Sequence, residues 1–343
     1  MLELDGTDAG GQFLRSALSL AALRDEAVRI ENVRGNRSTS GLRPQHRAVV
    51  EVLAELADAS VTGDEVGAET ITFEPGNGGR IDGGTVETEI QTAGSLTLLF
   101  DAALPLATAL REPLTVVATG GTDVAWSPPV DYLRRVKLPL LSRFGLNATI
   151  EVERRGFYPA GGGRATLRLA PSTLSPIELT DSGELTGVRI YSTESASLAD
   201  ANVADRQLGG VLGDESAATT ERDWPVVERV RRTVETDSPG SAVVIRLDFE
   251  ASIAGVCALG ERGTPAERVG KSARDAAVEV LTGDAPVDCH LGDQLLVFLA
   301  VAGGRLCVPA LTDHVETSLA LFDAFDLAVA RDGHVIWGPD TGS

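Results

Sequence analysis

Gly10-Gly11-Gln12-Phe13-Leu14, Ala93-Gly94-Ser95-Leu96-Thr97-Leu98 and Leu291-Gly292-Asp293-Gln294-Leu295-Leu296 share one local grammar. Glycine is followed by one or two polar residues and then by an apolar run reaching Leu23, Ala109 and Ala302 respectively. Each reads as a helix start, where free backbone N–H groups and the helix dipole attract anions. Three such starts, at irregular spacing, suggest a repeated α/β unit. Between them lie β-type segments at 28–33, 70–73, 114–118, 149–153 and 165–169, several of them β-branched or alternating and most bounded by Gly or Pro. A second helix is expected in each unit, over 44–57, 129–144 and 315–325.

Residues 179–277 have a different texture. Strands are expected at 187–191 and 242–250, a polar helix at 201–208 and an acidic-basic helix at 224–233. This stretch reads as an inserted smaller α/β domain, leaving 1–178 and 278–343 as a large domain. A chain of 343 residues that is 43% hydrophobic supports two packed domains and excludes a disordered chain.

The 50 acids outweigh the 30 cations to give −20, and Lys137 and Lys271 are the only lysines. Such a balance ordinarily opposes nucleic acid as a partner, since phosphate attraction supplies most non-specific affinity. An acidic surface nearly stripped of lysine is also what a cytosol at molar salt favours, where screening acts over roughly 3 Å. The expected source is a halophile, and there an RNA or nucleotide site must use short-range hydrogen bonds from a few arginines. An acidic enzyme for small substrates is the alternative. Cys257, Cys289 and Cys307 form no Cys-x-x-Cys pair, so neither a disulfide framework nor a zinc knuckle is indicated. The longest apolar runs fall short of the ~20 residues a bilayer requires, and the first residues lack a basic start. A cytoplasmic protein without a membrane partner is expected.

Four histidines narrow the chemistry, because imidazole is the side chain best suited to exchange protons or act as a nitrogen nucleophile near neutral pH. His334 follows Asp332-Gly333 and reads as a hairpin turn residue. His46 opens a helix beside arginines; His290 precedes Gly292-Asp293-Gln294; His314 stands at a strand-to-helix junction. Arg15, Arg34, Arg37 and Arg43 form a cationic group near the N-terminus, suited either to phosphate oxygens or to salt bridges with the abundant acids. Gly161-Gly162-Gly163 fits a phosphate cradle or a turn. There is no Gly-Lys-Ser/Thr P-loop, and neither lysine sits where a lysine nucleotidyltransferase would need it.

Taken together, Asp5 to Arg15, Arg34-Gly35-Asn36-Arg37 through Gly41-Leu42-Arg43-Pro44-Gln45-His46, and Thr92-Ala93-Gly94-Ser95 resemble the RNA 3'-terminal phosphate cyclase family. So do Gly120-Gly121-Thr122-Asp123 with Pro128-Pro129, the run Arg155 to Gly163, Leu291 to Leu296, and His314. The matches run in order over nearly the whole chain.

The resemblance implies an α/β (α+β) fold. It has a large domain of three repeated units, each a four-stranded sheet with two helices, plus a smaller α/β domain inserted before the last unit. It also implies ATP-dependent conversion of an RNA 3'-phosphate to a 2',3'-cyclic phosphodiester through an enzyme-histidine-AMP intermediate and an RNA-adenylate. By position, His314 matches the nucleotidyl histidine, and Arg15 and Arg37 match phosphate-handling arginines supported by Gln45. Asp293 and Gln294 match nucleotide contacts, with His290 and Pro128 placed to flank the adenine. Asp8 stands where the family usually has Glu for a divalent metal, Mg²⁺ or Mn²⁺. Ala9 replaces a usual Gly, and Ser318 a common Asn.

Three other readings compete. A non-catalytic, ribosome-biogenesis relative of the same fold would lack His314. An enolpyruvyl transferase would need a site rich in Lys and Arg, and two lysines argue against it. An RNA-binding module without turnover would keep the arginines but not depend on ATP.

Overall fold

The computed structural model describes residues 1–213 and 224–340. The first unit runs β1 (Leu2–Asp5), α1 (Gly11–Arg24), β2 (Val28–Glu31), α2 (Pro44–Ala57), β3 (Ser60–Thr62) and β4 (Ile71–Glu74). The second runs β5 (Gly84–Glu89), α3 (Leu96–Ala103), a 3₁₀ turn (Leu104–Thr108) and β6 (Leu114–Gly120). It continues through a helical rod of α4 (Val130–Tyr132), a π turn (Leu133–Lys137) and α5 (Leu138–Ser142), then β7 (Ala148–Arg154) and β8 (Gly163–Leu169).

The third unit opens with β9 (Ile177–Leu179) and is interrupted by β10 (Leu185–Ser195), α6 (Val203–Leu212), β11 (Val226–Val234), β12 (Ser241–Phe249), β13 (Ile253–Leu259) and α7 (Ala266–Thr282). It resumes with α8 (Cys289–Gln294), α9 (Leu296–Ala302), β14 (Gly304–Cys307), α10 (Asp313–Ala324), β15 (Ala330–Asp332) and β16 (Val335–Trp337).

The three units are one topology used three times. Their strand orders are β1-β2-β4-β3, β5-β6-β8-β7 and β9-β14-β16-β15. In each, the first two strands are parallel and joined across the first helix, and the remaining pairs are antiparallel. The fourth sheet, β11-β10-β12-β13, enters between the first strand and the first helix of the third unit.

Local sequence explains the elements that carry the site. Pro44 suits the first helical turn, where its missing N–H is not needed. From there Val49, Val52, Leu53 and Leu56 recur at helical spacing and are all buried. Truncating Leu53 to Ala would cost about 2–5 kcal/mol. The rod after β6 contains Pro139, which cannot donate to the carbonyl of Arg135 and crowds it. The chain answers with the π turn just before, and the freed Arg135 carbonyl accepts from Arg246 Nη1 of β12 at 2.8 Å. Thus one proline both breaks the helical ladder and supplies an anchor for the fourth sheet.

One continuous core joins residues of all three units, from Leu4 through Val116 to Leu306. A second core, including Val188, Ile190, Val243, Ile245, Leu208 and Ala273, lies between the fourth sheet and α6 and α7.

Two expectations are corrected. Residues 224–233 are not helical; they form most of β11, parallel to β10. Val226, Val230 and Val234 recur every four residues, which satisfies a helix and a strand alike, and the edge of β10 decides for the strand. The burial then alternates with period two. Second, Leu291-Gly292-Asp293-Gln294 does not start a helix. Asp288 caps α8 earlier by accepting from His290 N at 3.0 Å and Leu291 N at 3.2 Å, so Asp293 and Gln294 end that helix. The other two starts lie as expected, with Gly10 and Ser95 as the N-caps of α1 and α3.

Candidate active site

Gly10 and Gly11 open α1, and the first turn of that helix carries no acidic residue. The reason for glycine is steric. A Cβ on Gly10 would stand 3.3 Å from Arg37 Nη2 and 3.4 Å from His314 Cε1, so the guanidinium and the imidazole meet over this backbone. A Cβ on Gly11 would collide with His46 Nε2 and lie 3.3 Å from Arg15 Nη1. Residues from α1, α2, the loop after β2 and α10 therefore converge on one helix N-terminus, where backbone donors and the dipole favour an anion.

Arg15 is only 8% exposed, and among the described residues neither Arg15 nor Arg37 has a hydrogen-bond or ion-pair partner for its guanidinium. Burial pulls the Arg15 pKa down, with Asp101 opposing. In a chain so rich in carboxylates, a buried arginine that makes no direct ion pair, with Asp101 acting only at a distance, is a cation held for something else.

His46 is buried, and its Nδ1 accepts from the Arg43 backbone N–H at 3.2 Å. Its pKa is pulled down to about 3, first by burial and then by Arg15, Arg34 and Arg43. The ring is neutral, and with Nδ1 accepting, its proton resides on Nε2, the atom beside Gly11. His46 thus offers a donor among the arginines without adding a charge.

His314 is half-buried in the first turn of α10. Thr312 caps that helix, accepting from Val315 N at 3.1 Å, and donates its hydroxyl to Asp293 Oδ1 at 2.6 Å. The Asp293 carbonyl accepts from Gln12 Nε2 at 3.2 Å, tying α8 to α1. Burial raises the Asp293 pKa, opposed by the Thr312 bond and by His314 and His290.

Gln294 is held by Lys137, which is fully buried. The ammonium donates to Asp101 Oδ1 and to Gln294 Oε1, the latter at 3.1 Å, and lies 5.4 Å from the Phe298 ring centroid. Burial lowers the Lys137 pKa and Asp101 opposes the fall. With its oxygen engaged, Gln294 keeps its NH₂ for other acceptors. A cleft lined by Gln12, Arg15, Asp101, Asp293, Gln294 and Val297 adjoins this group.

The remaining expected residues make contacts of their own outside this group. Gln45 packs on the Ala93-Gly94 turn, where a Cβ on Gly94 would stand 3.1 Å from the Gln45 Cβ. The Pro128 carbonyl accepts from Thr97 Oγ1 at 2.8 Å. His290 is exposed and meets Tyr132 edge-on, with centroids 5.7 Å apart, while the Tyr132 hydroxyl donates to Asp288 Oδ1 at 2.6 Å. Asp8 is exposed, and its Oδ1 accepts from Asn36 Nδ2 at 2.6 Å. His334 follows Gly333 in the β15–β16 hairpin and packs its Nδ1 3.1 Å from the Val308 carbonyl, in the third sheet. Among the described residues no group of three or more His, Cys, Asp or Glu could hold a metal alone. Lys137, Asp101 and Thr312 were not foreseen from the sequence. The lysine had one visible signal, its survival in a chain that uses arginine almost everywhere else.

The family model described as "RNA 3'-terminal phosphate cyclase" matches residues 7–329. A protein of that name from Halobacterium salinarum is 45% identical, over 97% of this chain and 98% of its own length. Others so named come from Thermococcus onnurineus, 40% identical over 95% of this chain and 93% of the relative, and Nitrosospira multiformis, 37% identical over 98% and 95%. With its three repeated units and its ordered motifs, the chain belongs to the RNA 3'-terminal phosphate cyclase family.

Proposed function

We propose that this chain uses ATP to convert an RNA 3'-terminal phosphate into a 2',3'-cyclic phosphodiester. The observation that carries the reading is the meeting of the His314 ring and the unpartnered Arg37 guanidinium over Gly10, with buried Arg15 and neutral His46 one residue further along α1. This is an imidazole beside a preorganised anion site.

A neutral ring nitrogen of His314 attacks the α-phosphorus of ATP; the P–N bond forms and the bond to pyrophosphate breaks. Arg15, Arg37, the His46 Nε2–H and the α1 N-terminus stabilise the charge on the phosphate oxygens, where desolvation strengthens each contact. The RNA 3'-phosphate then displaces histidine from AMP, giving an RNA-adenylate. Finally the vicinal 2'-OH, already in attack range, closes on the 3'-phosphorus and AMP departs. Asp293 and the Gln294 NH₂, fixed by Thr312 and Lys137, serve as nucleotide contacts, with His290 and Pro128 toward the adenine.

A divalent ion, Mg²⁺ or Mn²⁺, fits Asp8 in one mode only. A single oriented carboxylate can share such an ion with substrate phosphate oxygens, as Mg²⁺ sites commonly do, but cannot cage it. When bound there, the ion would supply charge neutralisation at the ATP phosphates. Residues 1–178 with 278–343 act as the catalytic body, and 179–277 as an inserted module braced against the rod after β6. The cytoplasm of a halophile is the compartment that suits the charge.

The test is direct. In concentrated KCl with ATP and Mg²⁺, an RNA ending in a 3'-phosphate should become resistant to phosphatase and yield AMP and pyrophosphate in equal amounts. Binding of that RNA without ATP consumption would overturn the reading in favour of an RNA-binding module.

A further inference from the structure

The chain carries −20 and its substrate is a polyanion, so affinity for the body of an RNA cannot come from a basic surface. Hydrogen bonds at the terminal phosphate hold one end only. Sequence-tolerant binding that survives both repulsion and salt is base stacking on aromatic rings. Aromatic residues make up only 4% of this chain, and one of its three tryptophans, Trp126, is 99% exposed. Trp337, by contrast, is 44% exposed and has Arg305 at 5.5 Å from its ring centroid.

The loop carrying Trp126 is anchored at both ends. Upstream, Gly121 N donates to Gly94 O at 2.7 Å and Leu96 N to Gly121 O at 2.9 Å, and Gly94 lies against Gln45. Gln45 precedes His46, which faces Gly11, and Gly10 faces Arg37 and His314. Downstream, Pro128 is bonded to Thr97. Beneath, Arg155 is buried between Asp123 and Asp131, donating to both Asp123 oxygens at 2.7 and 2.9 Å and also to Asp131. Burial works against the Arg155 charge, yet the two carboxylates outweigh it and raise its pKa. Trp126 itself is held at φ 68°, in the left-handed region that non-glycine residues seldom adopt. The neighbouring loop, joined to this one through the Asp123 and Phe157 bridge, carries Tyr158 at 73% exposure. A loop anchored on both sides thus holds an indole in water, and its upstream anchor leads through Gly94 and Gln45 to His46 of the anion site.

Resting on the cyclase reading, we propose that Trp126 is a stacking platform for a nucleobase at the 3' end of the RNA, supplying the affinity that the acidic surface cannot. The experiment compares wild type, Trp126→Ala and Trp126→Phe in molar KCl, using a short 3'-phosphate RNA and the same RNA with abasic 3'-terminal and penultimate nucleotides. Attachment of AMP to the enzyme, which needs no RNA, should proceed at the wild-type rate in all three. KM for intact RNA should rise roughly 5- to 150-fold in Trp126→Ala, the range of one base–aromatic stack, and recover largely in Trp126→Phe. Removing the bases should weaken wild type but change Trp126→Ala little, because the same contact is then lost twice. Equal sensitivity of both enzymes to base removal, or an unchanged KM in Trp126→Ala, would overturn the proposal. So would a parallel loss of AMP attachment, which would assign the indole to ATP or to the fold. If wild type attaches no AMP, the cyclase reading fails first; the dissociation constants of intact and abasic RNA for wild type and Trp126→Ala then decide the stacking alone.

Discussion

Acidification should unfold this protein partly through His46, and replacing that residue should remove a defined share of the effect. Its folded pKa is pulled from 6.5 to about 3 by burial and three arginines. A base whose folded pKa is depressed binds its proton only after unfolding. The unfolded chain therefore takes up the extra proton as pH falls below 6.5, and stability present above that pH is lost on the way down toward 3. At pH 5 the unfolded ring has titrated by roughly 1.5 units, at about 1.4 kcal/mol each, so the contribution is about 2 kcal/mol. His46→Gln cannot titrate and can still accept from Arg43 N–H. Urea unfolding at pH 7 and pH 5, at constant KCl, gives the loss for each protein, and the difference of the two losses isolates this group from the many carboxylates. The expected double difference is about 2 kcal/mol, and most of it should persist in molar salt because burial, not the arginines, is the leading cause. Equal losses in the two proteins would refute the buried, neutral ring and with it the uncharged donor beside Gly11.

Lys137→Met should cost about 3–5 kcal/mol in urea unfolding by leaving Asp101 without its cation, and adding Asp101→Leu should recover most of the loss. No recovery would mean that the pair does not stand alone. Asp8→Ala should raise the Mg²⁺ concentration for half-maximal AMP attachment while Asp8→Glu does not; superimposable titrations would count against the metal assignment. Raising KCl from about 0.1 M, where charges interact over ~10 Å, toward molar concentrations should preserve or increase activity and the urea midpoint, and inactivation would contradict the salt adaptation read from composition.

The parts legible in the sequence are those governed by neighbours along the chain. α2 begins at Pro44 and ends at Ala57 as read, because a proline at its start and apolar residues at helical spacing say so locally. The glycines at Gly10 and Gly11 were also readable, and the structure gives their cause in the imidazoles and guanidiniums that a Cβ would meet. β11 was not readable, since its valines fit two periods and only the edge of β10 chooses between them. The same is true of the site's interior. His46 is neutral first because the fold buries it and then because Arg15, Arg34 and Arg43 gather around it, and Lys137 orients Gln294 across 157 positions of sequence. Such properties belong to packing, and no local pattern encodes them.

The central claim is that His314 becomes the carrier of AMP. Protein in concentrated KCl with α-labelled ATP and Mg²⁺, quenched in denaturant, should hold label that acid removes and alkali does not, as a phosphoramidate requires. The label should be absent from His314→Asn and should chase onto RNA with a 3'-phosphate. Label of undiminished amount on the His314→Asn protein, or none on the folded wild type, would contradict the account.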